Sequence, residues 1–112
     1  LIIDTRQEAL YEKASIKNSI NIPLNGQFAV WVGSLIPMDK QLILITESGK
    51  EHESVLRLAR VGFEYVMGYL EGGMMTWLDA VNEIQTITSI EANEMLGHLH
   101  EGYEILDVRR ST

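Results

Sequence analysis

"LILITESGKEHES", residues Leu42 to Ser54, decides how this chain is read. Leu42 to Ile45 is an apolar run without alternation, as in a strand covered on both faces. The run stops at Thr46-Glu47-Ser48-Gly49. Lys50 to Val61 then reads as a helix with Val55, Leu58, Ala59 and Val61 facing inward and Gly62 ending it. A buried strand, a short loop and a helix form the repeating unit of a parallel α/β sheet. Its loop lies at the strand's carboxyl end, where such sheets bind anions or hold nucleophiles. Ser48-Gly49-Lys50-Glu51 has the spacing of a capping box, which predicts that Ser48 caps the helix and Glu51 folds back toward the first amides. Thr46 and Ser48 are hydroxyls with His52 as the sole local base. A nucleophile needs base and orienter together, so structural roles are preferred.

The same alternation extends outward. Leu1-Ile2-Ile3 reads as a buried strand ending at Asp4, and Gln7 to Lys13 as one or two helical turns. Ser19 to Ile22 alternates like a strand and stops at Pro23. Asn25 to Leu35 puts Phe28, Val32 and Leu35 at helical spacing with Trp31 beside them. Tyr65 to Leu70 is another strand, and Gly72-Gly73 turns the chain into a short helix, Met74 to Val81, that carries Trp77. Both tryptophans read as core anchors. The fold class is therefore α/β: a parallel sheet flanked by helices on both faces.

The pattern restarts at Glu83. Gln85-Thr86-Ile87 reads as a strand, Thr88 to Glu91 as a second capping box, and a helix follows to about His98 with Ile90, Met95 and Leu99 on one face. Ile105-Leu106-Asp107-Val108-Arg109 then matches Ile2-Ile3-Asp4-Thr5-Arg6, 103 positions earlier. Residues 1–82 are read as one domain and 83–112 as the start of a second copy. Asp4 and Arg6 are read as a structural ion pair or hydrogen-bond node at the strand end, in preference to a catalytic pair, because no nucleophile accompanies them. Asp107 and Arg109 are read as the matching structural residues of the repeat. His98 and His100, two apart on a helix, face different directions, so no metal site is expected.

Bulk properties narrow the function. The chain has 112 residues, 46% of them apolar, enough for one domain with a core. A net charge of −7 argues against nucleic acid or an anionic membrane as partner. The absence of cysteine excludes disulfides, thiolate metal sites and thiol nucleophiles. No apolar run reaches membrane-spanning length. No cofactor is expected.

The motifs, taken in order, resemble rhodanese-like (thiosulfate sulfurtransferase-like) domains. Ile3-Asp4-Thr5-Arg6 is similar to the family's "D-x-R" strand end, and "YEKASIKNSINIP" to its "F-x-x-G-H-I-P-G-A-I-N-I-P". Leu42 to Gly49 resembles the active-site strand and loop "V-V-Y-C-x-x-G". "GYLEGGMMTWLDA" resembles the closing "L-x-G-G-x-x-x-W", with Gly72, Gly73 and Trp77 in place. "ITSIEANEMLGHLHEGYEILDVRRST" looks like the opening of a further such domain. "NGQFAVWVGSLIPMDKQLILI" is similar to rhodanese parts fused behind metallo-β-lactamase-fold enzymes, including persulfide dioxygenases. By this resemblance Thr46 stands where the family has its nucleophilic cysteine, and Thr46, Glu47, Ser48, Gly49, Lys50 and Glu51 form the corresponding active-site loop. A threonine hydroxyl cannot carry a sulfane sulfur.

The resemblance implies an inactive domain with a structural, interaction or positioning role in a larger, cytoplasmic, sulfur-metabolising hydrolase or dioxygenase. Weak sulfurtransferase, anion-binding or phosphatase-like activity at Thr46–Lys50 is the alternative. The chain, opening on Leu1, is expected to be a piece of that longer protein, lacking the family's first strand and helix. Ile84 to Leu99 resemble the missing piece and are expected to dock at the vacant sheet edge, within one chain or as a swapped segment in a homodimer. The remaining expected partner is the rest of the parent polypeptide.

Overall fold

A computed structural model describes residues 1–80 and 83–109. Four short strands, β1 (Ile2–Asp4), β2 (Ile20–Asn21), β3 (Leu42–Ile45) and β4 (Val66–Tyr69), form one parallel sheet in the order β2-β1-β3-β4. Helices α1 (Glu8–Lys13), α2 (Phe28–Leu35), α3 (Glu51–Arg60) and α4 (Gly73–Ala80) connect or follow the strands, and α5 (Ala92–His100) lies beyond them. β1 and β3 are central and mostly buried; Ile3, Leu42 and Leu44 are inaccessible to solvent. Pairing of Leu42 with Val66 and of Ile43 with Gly68 passes over Met67, a local irregularity in the β3–β4 ladder.

Two apolar clusters surround the sheet. Phe28 and Val32 of α2, Leu58 of α3, Phe63 and Ile36 pack with Ile3, Leu42 and Leu44. Met74 and Trp77 of α4 pack with Ile16 and Ile45 in the second cluster. Burying one such aliphatic side chain is worth about 1.5–3 kcal/mol. The α/β class with helices on both faces is therefore the observed one.

Several local expectations need correction. The buried face of α2 is Phe28-Val32-Ile36, with four-residue spacing, so Leu35 points outward and Trp31 is 43% exposed. The buried positions on α3 are Ser54 and Leu58, with Val55 beside them, while Ala59 is exposed. Gly62 does end α3, with φ +94 and the amide of Phe63 reaching back to the Leu58 carbonyl. The expected α4 residue Val81 lies outside the described residues.

The restart at Glu83 is less regular than its sequence implies. Gln85 forms an isolated antiparallel bridge with Ser15, and the amide of Ile87 donates to the Glu12 carbonyl. The segment thus lies against the α1–β2 connection. Within this chain it joins neither edge of the sheet; its backbone groups at Gln85 meet those of Ser15 instead. The box at Thr88–Glu91 does not form: Glu91 itself is the N-cap of α5 without a side-chain cap bond, and Ser89 donates to the Glu12 carboxylate. Residues 103–108 carry no regular secondary structure.

Candidate functional site

The carboxyl ends of β1 and β3 and the start of α3 converge on one region. At the end of β1, Asp4 and Arg6 form a fork. The Arg6 Nε donates to Asp4 Oδ1 at 3.0 Å and its Nη2 to Oδ2 at 2.8 Å, while the Arg6 amide also donates to Oδ1 at 3.0 Å. Both side chains are buried. The Arg6 Nη2 further donates to the Ala14 carbonyl at 2.7 Å, and the Asn21 amide nitrogen donates to the carbonyls of Asp4 and Arg6. Each charge is paired, and no buried side-chain nitrogen or oxygen among the described residues lacks a partner, which is the condition for burying an ion pair.

Thr5, between them, ties β1 to its neighbours. Its amide donates to the Ile45 carbonyl at 2.8 Å, and its hydroxyl lies 3.0 Å from that of Ser54. The Ser54 hydroxyl donates to the Lys50 carbonyl at 2.8 Å. A hydroxyl chain thus joins the end of β1 to the first turn of α3. Sequence reasoning did not single out Thr5, Asn21 or Ser54. The signal for Ser54 was its place one turn before Leu58 on the apolar face of α3.

The loop from Thr46 to Lys50 leaves β3 at this place. Thr46 is buried, and its carbonyl packs against Gly73: a Cβ on Gly73 would stand 3.2 Å from the Thr46 oxygen. Gly72 and Gly73 have φ of +79 and +62, which accounts for the pair at the entry to α4. Trp77 lies one turn further and donates from its indole nitrogen to the Glu83 carbonyl. Gly49 turns at φ +85, and the Lys50 amide returns to the Glu47 carbonyl. This turn moves the first helical residue to Glu51 and makes Lys50 the N-cap, with no side-chain cap bond. Ser48 therefore does not cap α3, and Glu51 does not close a capping box, so the helix start has no side-chain cap.

Charge still disfavours an anion there. Glu51 and Glu53 occupy the first turn of α3, and Lys50 is engaged with Glu53 at 3.4 Å. A shallow cleft of about 230 Å³ beside the loop is lined by Gln7, Leu24, Asn25, Glu47, Lys50, Glu53 and Arg57. The Arg57 guanidinium donates to the Leu24 carbonyl and stacks 5.0 Å from the Phe28 ring centroid. His52 is exposed on the outside of the first turn, and among the described residues no hydrogen bond links it to Thr46 or Ser48. The geometry brings no base to either hydroxyl. No group of three metal-ligating side chains occurs among the described residues; His98 pairs with Glu101 at 3.4 Å, away from this region. No described helix is long and apolar enough to cross a membrane.

Asp107 and Arg109 repeat the fork in the open. Arg109 Nε donates to Asp107 Oδ1 at 2.9 Å, its Nη2 to Oδ2 at 2.6 Å, and its amide to Oδ1 at 3.0 Å. The same three contacts as in Asp4–Arg6 recur within 0.2 Å, on side chains that face solvent. The Arg109 guanidinium, then its amide, holds the Asp107 carboxyl below the usual carboxylate range.

A sheet of this order, with the paired Asp-x-Arg strand end, the loop after β3 and the glycine pair before α4, defines a rhodanese-like domain. The profile of the Rhodanese-like domain family matches residues 1–80, and the chain belongs to that family. The Rhodanese_3-like domain of an Anabaena protein superposes with a TM-score of 0.72 at 18% identity, covering 81% of this chain and 96% of that one. A metallo-beta-lactamase from Staphylococcus aureus superposes with a TM-score of 0.57 at 25% identity, over 61% of this chain and 20% of that one. An uncharacterized protein of Buchnera aphidicola is 31% identical over 78 residues, 69% of this chain. The chain spans about half the length of that relative, 52%.

Proposed function

We propose that this rhodanese-like domain transfers no sulfur and acts as an interaction or positioning unit within a larger sulfur-handling hydrolase of metallo-β-lactamase fold, of the persulfide dioxygenase kind. The observation that carries the reading is Thr46. It sits buried at the end of β3, at the position that the family resemblance assigns to the nucleophile, in a chain without cysteine. Persulfide chemistry needs a thiolate, and a hydroxyl cannot replace it. The acidic first turn of α3 supports the same reading, since it repels thiosulfate. The likeness to one fifth of a metallo-beta-lactamase supports the fusion.

Cyanide-dependent sulfur transfer from thiosulfate tests the proposal. The chain is expected to give background rates, since position 46 holds a buried hydroxyl and no thiol. Turnover by the unmodified chain refutes the inactive reading.

A second reading, anion binding at Thr46–Lys50 with weak sulfurtransferase or phosphatase-like activity, is favoured by one feature: the start of α3 has no side-chain cap. Titration with thiosulfate, followed through the amide resonances of Ser48 to His52, separates the two. Saturable shifts support binding, and unchanged resonances exclude it.

A further inference from the structure

The chain leading from α4 to α5 is held to the domain at alternate residues. The Trp77 indole donates to the Glu83 carbonyl at 3.0 Å. The Gln85 amide donates to the Ser15 carbonyl at 2.8 Å and its carbonyl accepts from the Ser15 amide at 3.0 Å. The Ile87 amide donates to the Glu12 carbonyl at 2.9 Å, and the Ser89 hydroxyl to the Glu12 carboxylate at 3.1 Å. Residues 83, 85, 87 and 89 thus meet the domain with the two-residue period of an extended strand, although only one bridge forms.

Ser15 is the centre of this contact. It is 1% exposed, and Gln85 meets its amide, its carbonyl and its hydroxyl. Polar groups that deep in a fold need such partners. The Ser15 amide shares one planar peptide group with the Ala14 carbonyl, and the two point in opposite directions. On that other side the Ala14 carbonyl accepts from Arg6 Nη2 at 2.7 Å. A guanidinium on the carbonyl polarises the amide across the plane and strengthens its bond to Gln85. We propose that residues 83–89 form a strap whose docking is set by Arg6 through the Ala14–Ser15 peptide. The buried fork at the end of β1 then fixes the path of the chain that enters α5. This rests on the positioning role proposed above and gives it a physical means. Holding each strap residue costs backbone entropy that one hydrogen bond barely offsets. The contacts therefore hold together, and losing one pair releases the strap.

Amide exchange and spin-label distances on the full chain test this. The Gln85 and Ile87 amides are expected to exchange about ten-fold more slowly than those of Thr86 and Thr88, which donate to no backbone carbonyl among the described residues. Arg6→Lys keeps a cation beside Asp4 but lacks the planar fork that spans Asp4 and Ala14. It is expected to speed exchange at Gln85 and Ile87 by about ten-fold relative to the amides of β3. Gln85→Pro removes the strap's own donor and lies outside both apolar clusters. By reciprocity it is expected to shift the Arg6 Nε–H resonance and leave that of Arg57 in place. The chain has no cysteine, so labels can be set at the exposed positions Lys40→Cys and Thr88→Cys alone. Their distance distribution is expected to be narrow, and Gln85→Pro to broaden it about two-fold. Uniform exchange from Gln85 to Thr88, or a distribution already broad before Gln85→Pro, would overturn the strap. Gln85 protection that ignores Arg6→Lys in a chain whose β3 stays protected, or an Arg6 resonance that ignores Gln85→Pro, would overturn its control by the fork. Sulfur transfer enters none of these readouts, so turnover would refute the inactive reading and leave the strap standing.

Discussion

Asp4 and Arg6 neutralise each other where water is excluded, so removing either leaves the other's charge buried and unpaired. Asp4→Ala or Arg6→Ala is expected to lower stability by about 3–5 kcal/mol in urea titration. Thr5→Val, which removes a hydroxyl contact but no charge, should cost about 1 kcal/mol. The exposed fork supplies a pH test. Asp107 is held below the ordinary carboxylate value, near ~4, by Arg109. A lowered carboxyl contributes its stabilisation above that ordinary value and loses it as pH falls through the lowered one. The fork should therefore stay closed at neutral pH and open only under acid conditions. The carbon-13 shift of the Asp107 carboxyl reads this, and a midpoint at or above ~4 would contradict it.

Local geometry at the ends of the helices departs most from pattern. The turn from Glu47 to Lys50 starts α3 three residues after Ser48, so a capping-box spacing exists without a capping box. The rule that failed is positional: a box works only if its first residue is the N-cap, and Gly49 at φ +85 shifts the cap to Lys50. At α4 the constraint is stricter. Gly73→Ala forces an L residue to φ +62 and brings its Cβ against the Thr46 carbonyl. We expect a loss of about 1–3 kcal/mol in thermal or chemical denaturation, with amide shifts in residues 46–48 that report a displaced loop. A Gly68→Ala control, with open space around its Cβ, should leave those resonances in place.

Across the chain, cohesion is concentrated in the sheet and its two apolar clusters, while α5 makes no extensive contact with any other element among the described residues. Hydrogen exchange should therefore be slowest at β1 and β3 and several orders of magnitude faster along α5; equal protection would show that α5 is packed. Within residues 1–80, the strands and helices, their parallel arrangement, and the Asp-x-Arg and Gly-Gly features were legible from Leu42–Ile45, from Gly62 and from the strand-end residues, because apolar runs and turn residues act through nearby backbone, whereas the strand expected at Gln85–Ile87 reduces to a single bridge. The hydroxyl chain through Thr5 and Ser54, the inward turn of Ile36 in place of Leu35, and the pairing of Gln85 with Ser15 were not. Each joins groups whose contact exists only once separate segments are packed, and no local spacing encodes that. The absence of a thiolate was complete in the sequence alone, since chemistry that needs sulfur cannot be supplied by folding. That the Asp4–Arg6 pair lies buried was decided by the tertiary structure alone, because β2 and β3 had to pair with β1 on either side before water could leave it.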